Sequence, residues 1–531
     1  MNAECDGSLG FLVRILSQDF NNLAKILQKM CQLFGNKKHS CERFSPKLDS
    51  VTCHGLRGAA LFGMTEQLME TIMLISFAVE NWMSFKERVE FSMVASREKQ
   101  HSESVFAAKF APKLLPVAAI YGGNASGKSN FCRALGFVQN FILTCSVIGR
   151  RISIVPFKLS KDTISKPSRF EITILIDNHI YRYGFALTNR KIFGEKLVRI
   201  VKRTRTFEEI TLFERSAEDS DPHLWSGISD DIKSKLKVVY EGTRDNVLFL
   251  TNTVFLQIDT FKPVYDWFLN CLEVIEPTSR YMPFDQFLSE ENPLYEAMNS
   301  LLPQFDTSIG SLQGEEIPFD SVQFPDPRLK QFIVEALKEG SPAKIRVPDG
   351  YVIFERDGDQ IKTRKLIAMH HSQEGEEVRF EIKEESDGSQ RMIDLLPAFL
   401  RLAANDSKKV YVIDEIDRSL HSLLTRSLIE MFISGCNKAT QKQLIFTTHD
   451  ILLMDQQLLR RDEMWITDRS DNSESQLISL CEYKGLRDDT DIQRRYLDGR
   501  LGGIPMILKS EIMNTLHTGV ENTIEQGNCD E

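Results

Sequence analysis

Residues 121–130 read YGGNASGKSN and place three glycines, a lysine and two serines within ten positions. Gly122, Gly127, Lys128 and Ser129 fall on the spacing GxxxxGK(S/T), which is typical of a loop that wraps phosphates with its backbone N–H groups. The apolar run LLPVAAI comes just before the loop, and SNFCRALGFVQNFIL follows it with the spacing of a helix. Because a helix N-terminus also favours an anion, this strand, loop and helix predict a nucleotide-binding site.

Most of this loop can be given a role in holding ATP and Mg²⁺. Glycine at positions 122 and 127 allows backbone angles that a side chain would forbid, so phosphates can approach closely. Lys128 is expected to reach the β- and γ-phosphates, and Ser129 to give a hydroxyl ligand to Mg²⁺. The predicted nucleotide-binding residues of the loop are Gly122, Gly123, Asn124, Ala125, Ser126, Gly127, Lys128, Ser129 and Asn130. The alternative, a glycine-rich turn without a ligand, is disfavoured by the flanking strand and helix.

A second strand, in the stretch VYVIDEID at 410–417, ends in two neighbouring carboxylates. Ligands of an open parallel sheet bind beyond the carboxyl ends of its strands. Asp414 is therefore expected to hold Mg²⁺ through water, and Glu415 to orient or deprotonate an attacking water. A glutamate in that place indicates hydrolysis rather than binding alone. The alternative is an acidic turn after a core strand.

Two further stretches can contact phosphate. QLIFTTHD contains His449 near the end of an apolar run, where a histidine can hydrogen-bond a γ-phosphate. EESDGSQRMIDLL places Ser386 and Gly388 just before a predicted helix, which makes a second possible phosphate site. Because the first loop already holds one nucleotide, this second loop is expected to cap the nucleotide of another subunit. The alternatives are a surface histidine and an ordinary helix cap.

Taken in chain order, the phosphate loop, SDGSQ, VIDEID and TTHD resemble the Walker A, signature, Walker B and switch-histidine elements of ABC-type ATPases, in the RecF/SMC/OLD-like branch. The stretches FAVENWMSF, PFKLS, DEIDRSLH and YLDGRLGGIP further resemble the AAA-type ATPases of prokaryotic abortive-infection and phage-defence systems. The resemblance spans about 73–505. It implies an α/β P-loop NTPase with an ABC-ATPase-like head, a mixed sheet wrapped by helices, and a mainly helical insertion between Walker A and signature.

The same resemblance implies a homodimer or higher oligomer that closes around ATP. Ser386 and Gly388 would come from the second subunit, and the residues acting on the ATP of the first would be Lys128, Ser129, Asp414, Glu415 and His449. The chain departs from the transporter pattern in three ways. Its signature reads SDGSQ rather than LSGGQ, His421 stands where the D-loop aspartate is usual, and no Q-loop glutamine can be identified.

A cytoplasmic ATP-hydrolysing switch in antiviral defence is the function that these resemblances favour. A DNA-repair ATPase that binds DNA directly and a transporter-type motor are the alternatives. The long interval between Lys128 and Asp414 is unlike a compact transporter domain, and it lacks the heptads of an SMC protein. The stretch after His449 is too short for an added Toprim nuclease domain, so we expect the effector to be a separate protein.

Composition and charge agree with a globular ATPase. The 531 residues carry a net charge of −10, and neither a membrane-spanning run nor a secretory signal is predicted. The ten cysteines are scattered, as in a protein with reduced thiols. Those at 31, 41 and 53, with His54, match no standard zinc spacing.

One local stretch, RKIFGEKLVRIVKRTR, is strongly basic. Its cations could grip nucleic-acid phosphates, although such residues more often form a solvated face or protect a sheet edge. They are Arg190, Lys191, Lys196, Arg199, Lys202, Arg203 and Arg205. The sequence therefore does not decide between direct DNA binding and a solvated face for this stretch.

Four segments are expected along the chain. Residues 1–72 look unlike the rest, and we expect the functional protein to begin near Met73. Residues 73–224 would form an ATPase lobe with Walker A and antiparallel strands, and 225–344 a mainly helical insertion. Residues 345–531 would complete the ATPase with the signature, Walker B, the switch histidine and a C-terminal tail.

Overall fold

The structure is a computed structural model. It describes residues 71–108, 110–144, 152–203, 206–218, 222–277, 293–324, 326–338, 343–347, 350–357, 360–404, 407–483 and 491–504. The predicted N-terminal extension lies outside these residues except for its last two positions, and so do the cysteines at 31, 41 and 53 and the tail beyond 504. No described helix is long and apolar enough to cross a membrane.

Strands and helices alternate along the described chain. The strands are β1 Ile72–Glu80, β2 Val89–Ser92, β3 Val117–Tyr121, β4 Ser168–Ile176, β5 His179–Leu187, β6 Ile192–Lys202, β7 Phe207–Ser216, β8 His223–Leu224, β9 Leu272–Ile275, β10 Ser311–Glu316, β11 Ala343–Val347, β12 Gly350–Asp357, β13 Gln360–His371, β14 Glu377–Glu381, β15 Val410–Ile413, β16 Gln443–Thr448, β17 Met464–Arg469 and β18 Ser475–Ser479. The helices are α1 Lys128–Thr144, α2 Lys161–Ser165, α3 Asp230–Glu241, α4 Phe249–Phe255, α5 Lys262–Asn270, α6 Pro293–Leu301, α7 Pro327–Lys338, α8 Asp387–Ala403, α9 Ser422–Ser434 and α10 Ile492–Leu497.

The central sheet has the strand order β18-β17-β3-β16-β15-β9. β9, β15, β16, β3 and β17 run parallel, and β18 is antiparallel to β17. Every residue of β3, β15 and β16 is buried, which explains their continuous apolar runs, since a parallel sheet is covered on both faces. The parallel arrangement brings the carboxyl ends of β3, β15 and β16 to one edge and confirms the predicted mixed sheet.

A second, antiparallel sheet has the order β2-β1-β4-β5-β6-β7-β8. Asp177 and Asn178 form the turn between β4 and β5 with φ of 46° and 68°, as expected for a two-residue hairpin. Helix α1 packs against this sheet, because the Phe131 ring lies edge-on to Phe77 with 5.7 Å between the ring centroids. The helix that follows the phosphate loop is thus held by the core of the molecule.

A third sheet, formed by β10-β13-β12-β11 with β14 also paired to β13, packs against α8. The described residues of the segment 225–344 form helices α3 to α7, but they also include β9, β10 and part of β11. β9 joins the central sheet, whereas β10 and β11 join the third. The predicted boundary at 344 falls within β11. β10, with the sequence SLQGEE, lacks the alternation of apolar and polar residues that would have distinguished it from a loop.

Two residues of the basic stretch, Lys196 on β6 and Arg203 just after it, form ion pairs with acidic residues of β7. Lys196 forms a 2.7 Å ion pair with Glu214, and Arg203 forms one of 2.6 Å with Glu208. The Arg199 guanidinium stacks 4.8 Å from the centre of a tryptophan ring. Because these two cations are already paired within the sheet, the face offers fewer free charges to a nucleic-acid backbone than the sequence alone indicates. DNA contact here stays a prediction.

Candidate active site

The phosphate loop joins the end of β3 at Tyr121 to the start of α1 at Lys128. Lys128 Nζ donates to the carbonyl oxygens of Gly122 at 2.6 Å and Gly123 at 3.1 Å, which closes the loop into a ring. Gly122 and Gly127 have φ of 154° and 117°, which L side chains rarely adopt. Between them, Asn124 and Ala125 form the exposed tip of the loop. The loop is therefore closed at its base by Lys128 and exposed at its tip, where a phosphate could approach.

The two glycines are also required by the strands behind the loop. A Cβ atom on Gly122 would lie 2.5 Å from the carbonyl oxygen of Thr467, and one on Gly127 would lie 2.5 Å from Ser475 Oγ. Ser126 Oγ is hydrogen-bonded to Thr467 Oγ1 at 2.6 Å. Gly122 and Gly127 are thus required by the close packing of β17 and β18, which support the loop from behind, as well as by any phosphate in front of it.

Lys128 is a buried cation, and both its burial and the nearby carboxylates change the pKa of its ammonium group. Burial lowers its pKa from 10.5 to about 8, although Asp414 above all, then Asp417 and Glu415, raise it again. No described carboxylate lies within salt-bridge distance of its Nζ. A buried ammonium group without an acidic partner is suited to an anionic ligand such as a triphosphate.

His449 lies directly beside this lysine. Its Nδ1 is 3.2 Å from Lys128 Nζ, and burial, followed by the lysine's charge, lowers the pKa of the imidazole below 6.5. At neutral pH, His449 is therefore uncharged and accepts from the lysine through Nδ1. Its proton is then on Nε2, where it can be donated to another group.

Thr447 connects the two neighbouring carboxylate residues at the end of β15. Its hydroxyl donates to Asp414 Oδ1 at 2.6 Å and accepts from the backbone N–H of Glu415 at 2.8 Å. Asp414 is 1% exposed, and Glu415 has a left-handed φ of 49°. Asp417 Oδ2 in turn accepts from the backbone N–H of His449 at 3.2 Å. β15 and β16 therefore fix each other's terminal residues.

The donor set fits Mg²⁺, which prefers oxygen ligands and keeps several of its waters. Ser129 and Asp414 could provide hydroxyl and carboxylate oxygens, the latter through water. The Cys132 thiol contacts Asp414, but burial raises its pKa well above 9.0, so it stays protonated and is no competing ligand. No cluster of three or more metal-binding His, Cys, Asp or Glu residues occurs in the described part of the chain. Phosphate and water oxygens would therefore complete the coordination.

In this single chain, the second predicted phosphate site, at Ser386 and Gly388, is separate from the phosphate loop. Ser386 caps α8, its Oγ accepting from the Ser389 N–H at 3.1 Å, and no described hydrogen bond joins it to the phosphate loop. A Cβ atom on Gly388 would lie 2.9 Å from the carbonyl oxygen of Ser419, so the glycine allows α8 to approach the turn after Glu415. His421 caps α9, its Nδ1 accepting from the Leu423 N–H at 3.2 Å.

The structure therefore brings Lys128, Asp414, Glu415 and His449 together at one sheet edge, but not Ser386 or Gly388. Asn130, also predicted to bind nucleotide, donates through its side chain to Ser84 Oγ at 2.8 Å. Four residues that support the site were not predicted from the sequence: Thr447, Thr467, Ser475 and Gly503. Thr447 and Gly503 lie in stretches that carry the family resemblance, but the sequence alone does not show which residues they contact.

A protein-family model described as "AAA domain, putative AbiEii toxin, Type IV TA system" matches residues 117–455, well over half of the chain. The matched span begins with β3 and ends just beyond His449. It therefore includes the phosphate loop, Ser386 and the carboxylates at the end of β15. No curated protein matches the chain.

Several solved structures resemble the chain at low identity. The Smc head bound to the C-winged helix domain of ScpA gives a TM-score of 0.33 at 13% identity, over 77% of this chain and 98% of that one. The SMC head domain from Thermotoga maritima gives 0.29 at 12%, also over 77% and 98%. The recombination mediator protein RecF-ATP gives 0.25 at 12%, over 72% and 93%. Similarity this distant is no evidence of a shared activity.

Proposed function

The chain belongs to the AbiEii-type AAA family, and from this premise we propose that it is a molecular switch that binds and hydrolyses ATP. The observation that carries the proposal is the buried cation of Lys128, which lies beside His449 and in the field of Asp414 and Glu415. A mere glycine-rich turn would not require a desolvated lysine facing the carboxyl edge of a parallel sheet. A triphosphate would supply the anionic partner that Lys128 does not have within salt-bridge distance among the described residues.

Each residue has a separate role in the proposed reaction. Lys128 and the loop N–H groups hold the β- and γ-phosphates, while Ser129 and Asp414 would hold Mg²⁺, which offsets phosphate charge when bound. A water oxygen forms a bond to the γ-phosphorus as the bond to the β–γ bridging oxygen breaks. Glu415 takes the proton of that water, and His449 donates its Nε2–H to a γ-phosphate oxygen.

The exposed signature loop supports closure of two subunits around ATP. Ser386 is exposed at the N-terminus of α8, where the helix dipole favours an anion. Leu423, just after His421, is 64% exposed, and Leu452, just after His449, is 60% exposed. Large exposed apolar side chains next to a site are typical of an interface. We infer that this face meets a second copy, so that each ATP is held by residues of both.

Dimerisation is the property that tests this part of the proposal. With a non-hydrolysable ATP analogue and Mg²⁺, the protein is expected to double its mass in light scattering. Ser386→Arg should stay monomeric, because the bulky cation would fill the place of the second subunit's phosphate, while it should still bind the analogue. Ser226→Arg, at an exposed position before α3, is the matched control. A mass that does not respond to nucleotide would contradict the proposal.

The biological role that we propose is antiviral defence, with a separate protein as the effector and a cytoplasmic location. The family description, which names a toxin of a toxin–antitoxin system, supports a growth-restricting role. Because Lys196 and Arg203 are already paired with β7, direct DNA binding through that face is the weaker alternative. Expressed with its genomic neighbours, the tagged chain is expected to retain one of them in an ATP-dependent manner. Retention of DNA but no protein would favour the repair alternative.

A further inference from the structure

The hairpin of β13 and β14 leads almost directly into the signature loop. β14 ends at Glu381, a single turn of 3₁₀ helix follows at Ile382–Glu384, and Ser386 comes next but one. Most of the residues between the paired parts of β13 and β14 are exposed. Phe380, at the base of the hairpin, packs against the His370 ring with the centroids 4.5 Å apart. The signature loop is thus attached to an element whose tip projects into solvent.

One side-chain contact joins β13, next to the hairpin turn, to the loop. His370 Nε2, on β13, lies 2.6 Å from Glu385 Oε1, directly before Ser386. The Glu385 side chain is only 6% exposed and that of His370 18%. A carboxylate that is buried to this extent requires a hydrogen-bond donor, because an unpaired buried charge is costly. We call this pair the His370–Glu385 latch.

The latch holds a loop that is also constrained from the other side. The Gln390 side chain donates to the Glu385 carbonyl oxygen at 2.9 Å, and Gly388 packs closely on the backbone of Ser419. Without the imidazole donor, the Glu385 carboxylate would have to turn outward to water, because an unpaired buried charge is costly. That change would shift Ser386, its neighbour in the chain, relative to the turn after Glu415.

We propose that the His370–Glu385 latch positions the signature loop, so that the third sheet controls whether Ser386 and Gly388 can engage a second subunit's triphosphate. This inference rests on the proposed ATP-dependent dimer. His370 and Glu385 are positioning residues, since their contact is with each other and not with the phosphate loop. Displacement of the exposed hairpin would open the latch and disfavour dimerisation, which gives the switch a point of control outside the nucleotide site.

Two substitutions of His370 distinguish the effect of its hydrogen bond to Glu385 from the effect of its ring packing on Phe380. His370→Phe keeps a ring against Phe380 but removes the donor, whereas His370→Gln loses the ring and keeps an N–H near the Nε2 position. With the ATP analogue, the dimer of His370→Phe is expected to dissociate roughly 10-fold more readily, the effect of one lost hydrogen bond to a charged group. His370→Gln should remain within about 3-fold of the parent. His371→Phe, at the exposed neighbouring position, is the control.

A second measurement shows whether the effect is confined to the dimer. Binding of a fluorescent ATP analogue is measured at protein concentrations where monomers prevail, and all variants are expected to match the parent. If His370→Phe loses this binding too, or if His370→Gln is impaired equally, the latch is a general packing contact and the inference is wrong. If His370→Phe dimerises normally while Ser386→Arg does not, the latch alone is wrong. If Ser386→Arg also dimerises normally, the proposed dimer is wrong and the latch with it.

Discussion

Replacement of Glu415 by glutamine is expected to lower ATP turnover about 1,000-fold while leaving ATP binding intact, because positioned general bases contribute roughly 10²–10⁴-fold. Glutamine keeps the size of the side chain but cannot take up the proton of the attacking water. The backbone contacts at this position should persist, since the hydrogen bond to Thr447 Oγ1 comes from the Glu415 N–H. Steady-state phosphate release and equilibrium binding of ATP measure the two effects separately.

The same variant should accumulate the closed state. If ATP closes two subunits and hydrolysis opens them, Glu415→Gln with ATP is expected to run as a dimer that does not decay with time. Glu430→Gln is the matched control, because Glu430 pairs with Arg426 on α9 and lies outside the site. Turnover within a few-fold of the parent in Glu415→Gln would exclude a general-base role for this residue.

The residues to which we assign the chemistry could be picked out from the sequence because their signals are local. Lys128 is identified by the glycines around it, and Asp414 and Glu415 follow directly after a buried run. Once a parallel sheet is expected, the carboxyl ends of its strands must share one edge. The grouping of these residues with His449 therefore follows from pattern and topology together.

The supporting contacts could not be predicted, because they depend on which strands become neighbours. β17 pairs with β3 although a long stretch of chain separates them, and only this pairing brings Thr467 behind Gly122. Thr447 stands in the quoted stretch QLIFTTHD, yet its double hydrogen bond requires the register of β15 against β16. The His370–Glu385 latch likewise joins two side chains that no motif connects.

Replacement of Lys128 by methionine is expected to abolish ATP binding, with an affinity loss of roughly 100-fold or more, because several charge-assisted hydrogen bonds to phosphate would be lost. The Nζ bonds to the Gly122 and Gly123 carbonyls would disappear as well, so the loop would lose the contact that closes it. Titration with a fluorescent ATP analogue measures the loss. Lys235→Met, at an exposed position on α3, should bind like the parent.

Loss of binding in Lys128→Met should not be accompanied by loss of stability, and this separates a ligand-binding lysine from a structural one. Burial lowers the pKa of Lys128 to about 8 in the folded chain, so the charged form is disfavoured there relative to the unfolded chain. Between pH 8 and the unfolded value of 10.5, the unfolded chain binds more protons, and the parent's free energy of unfolding should rise with pH. Lys128→Met should lack this rise and resist urea at pH 7 at least as well as the parent. If it unfolds more easily, the buried ammonium group is needed by the fold itself, and the case for a triphosphate at this position is lost.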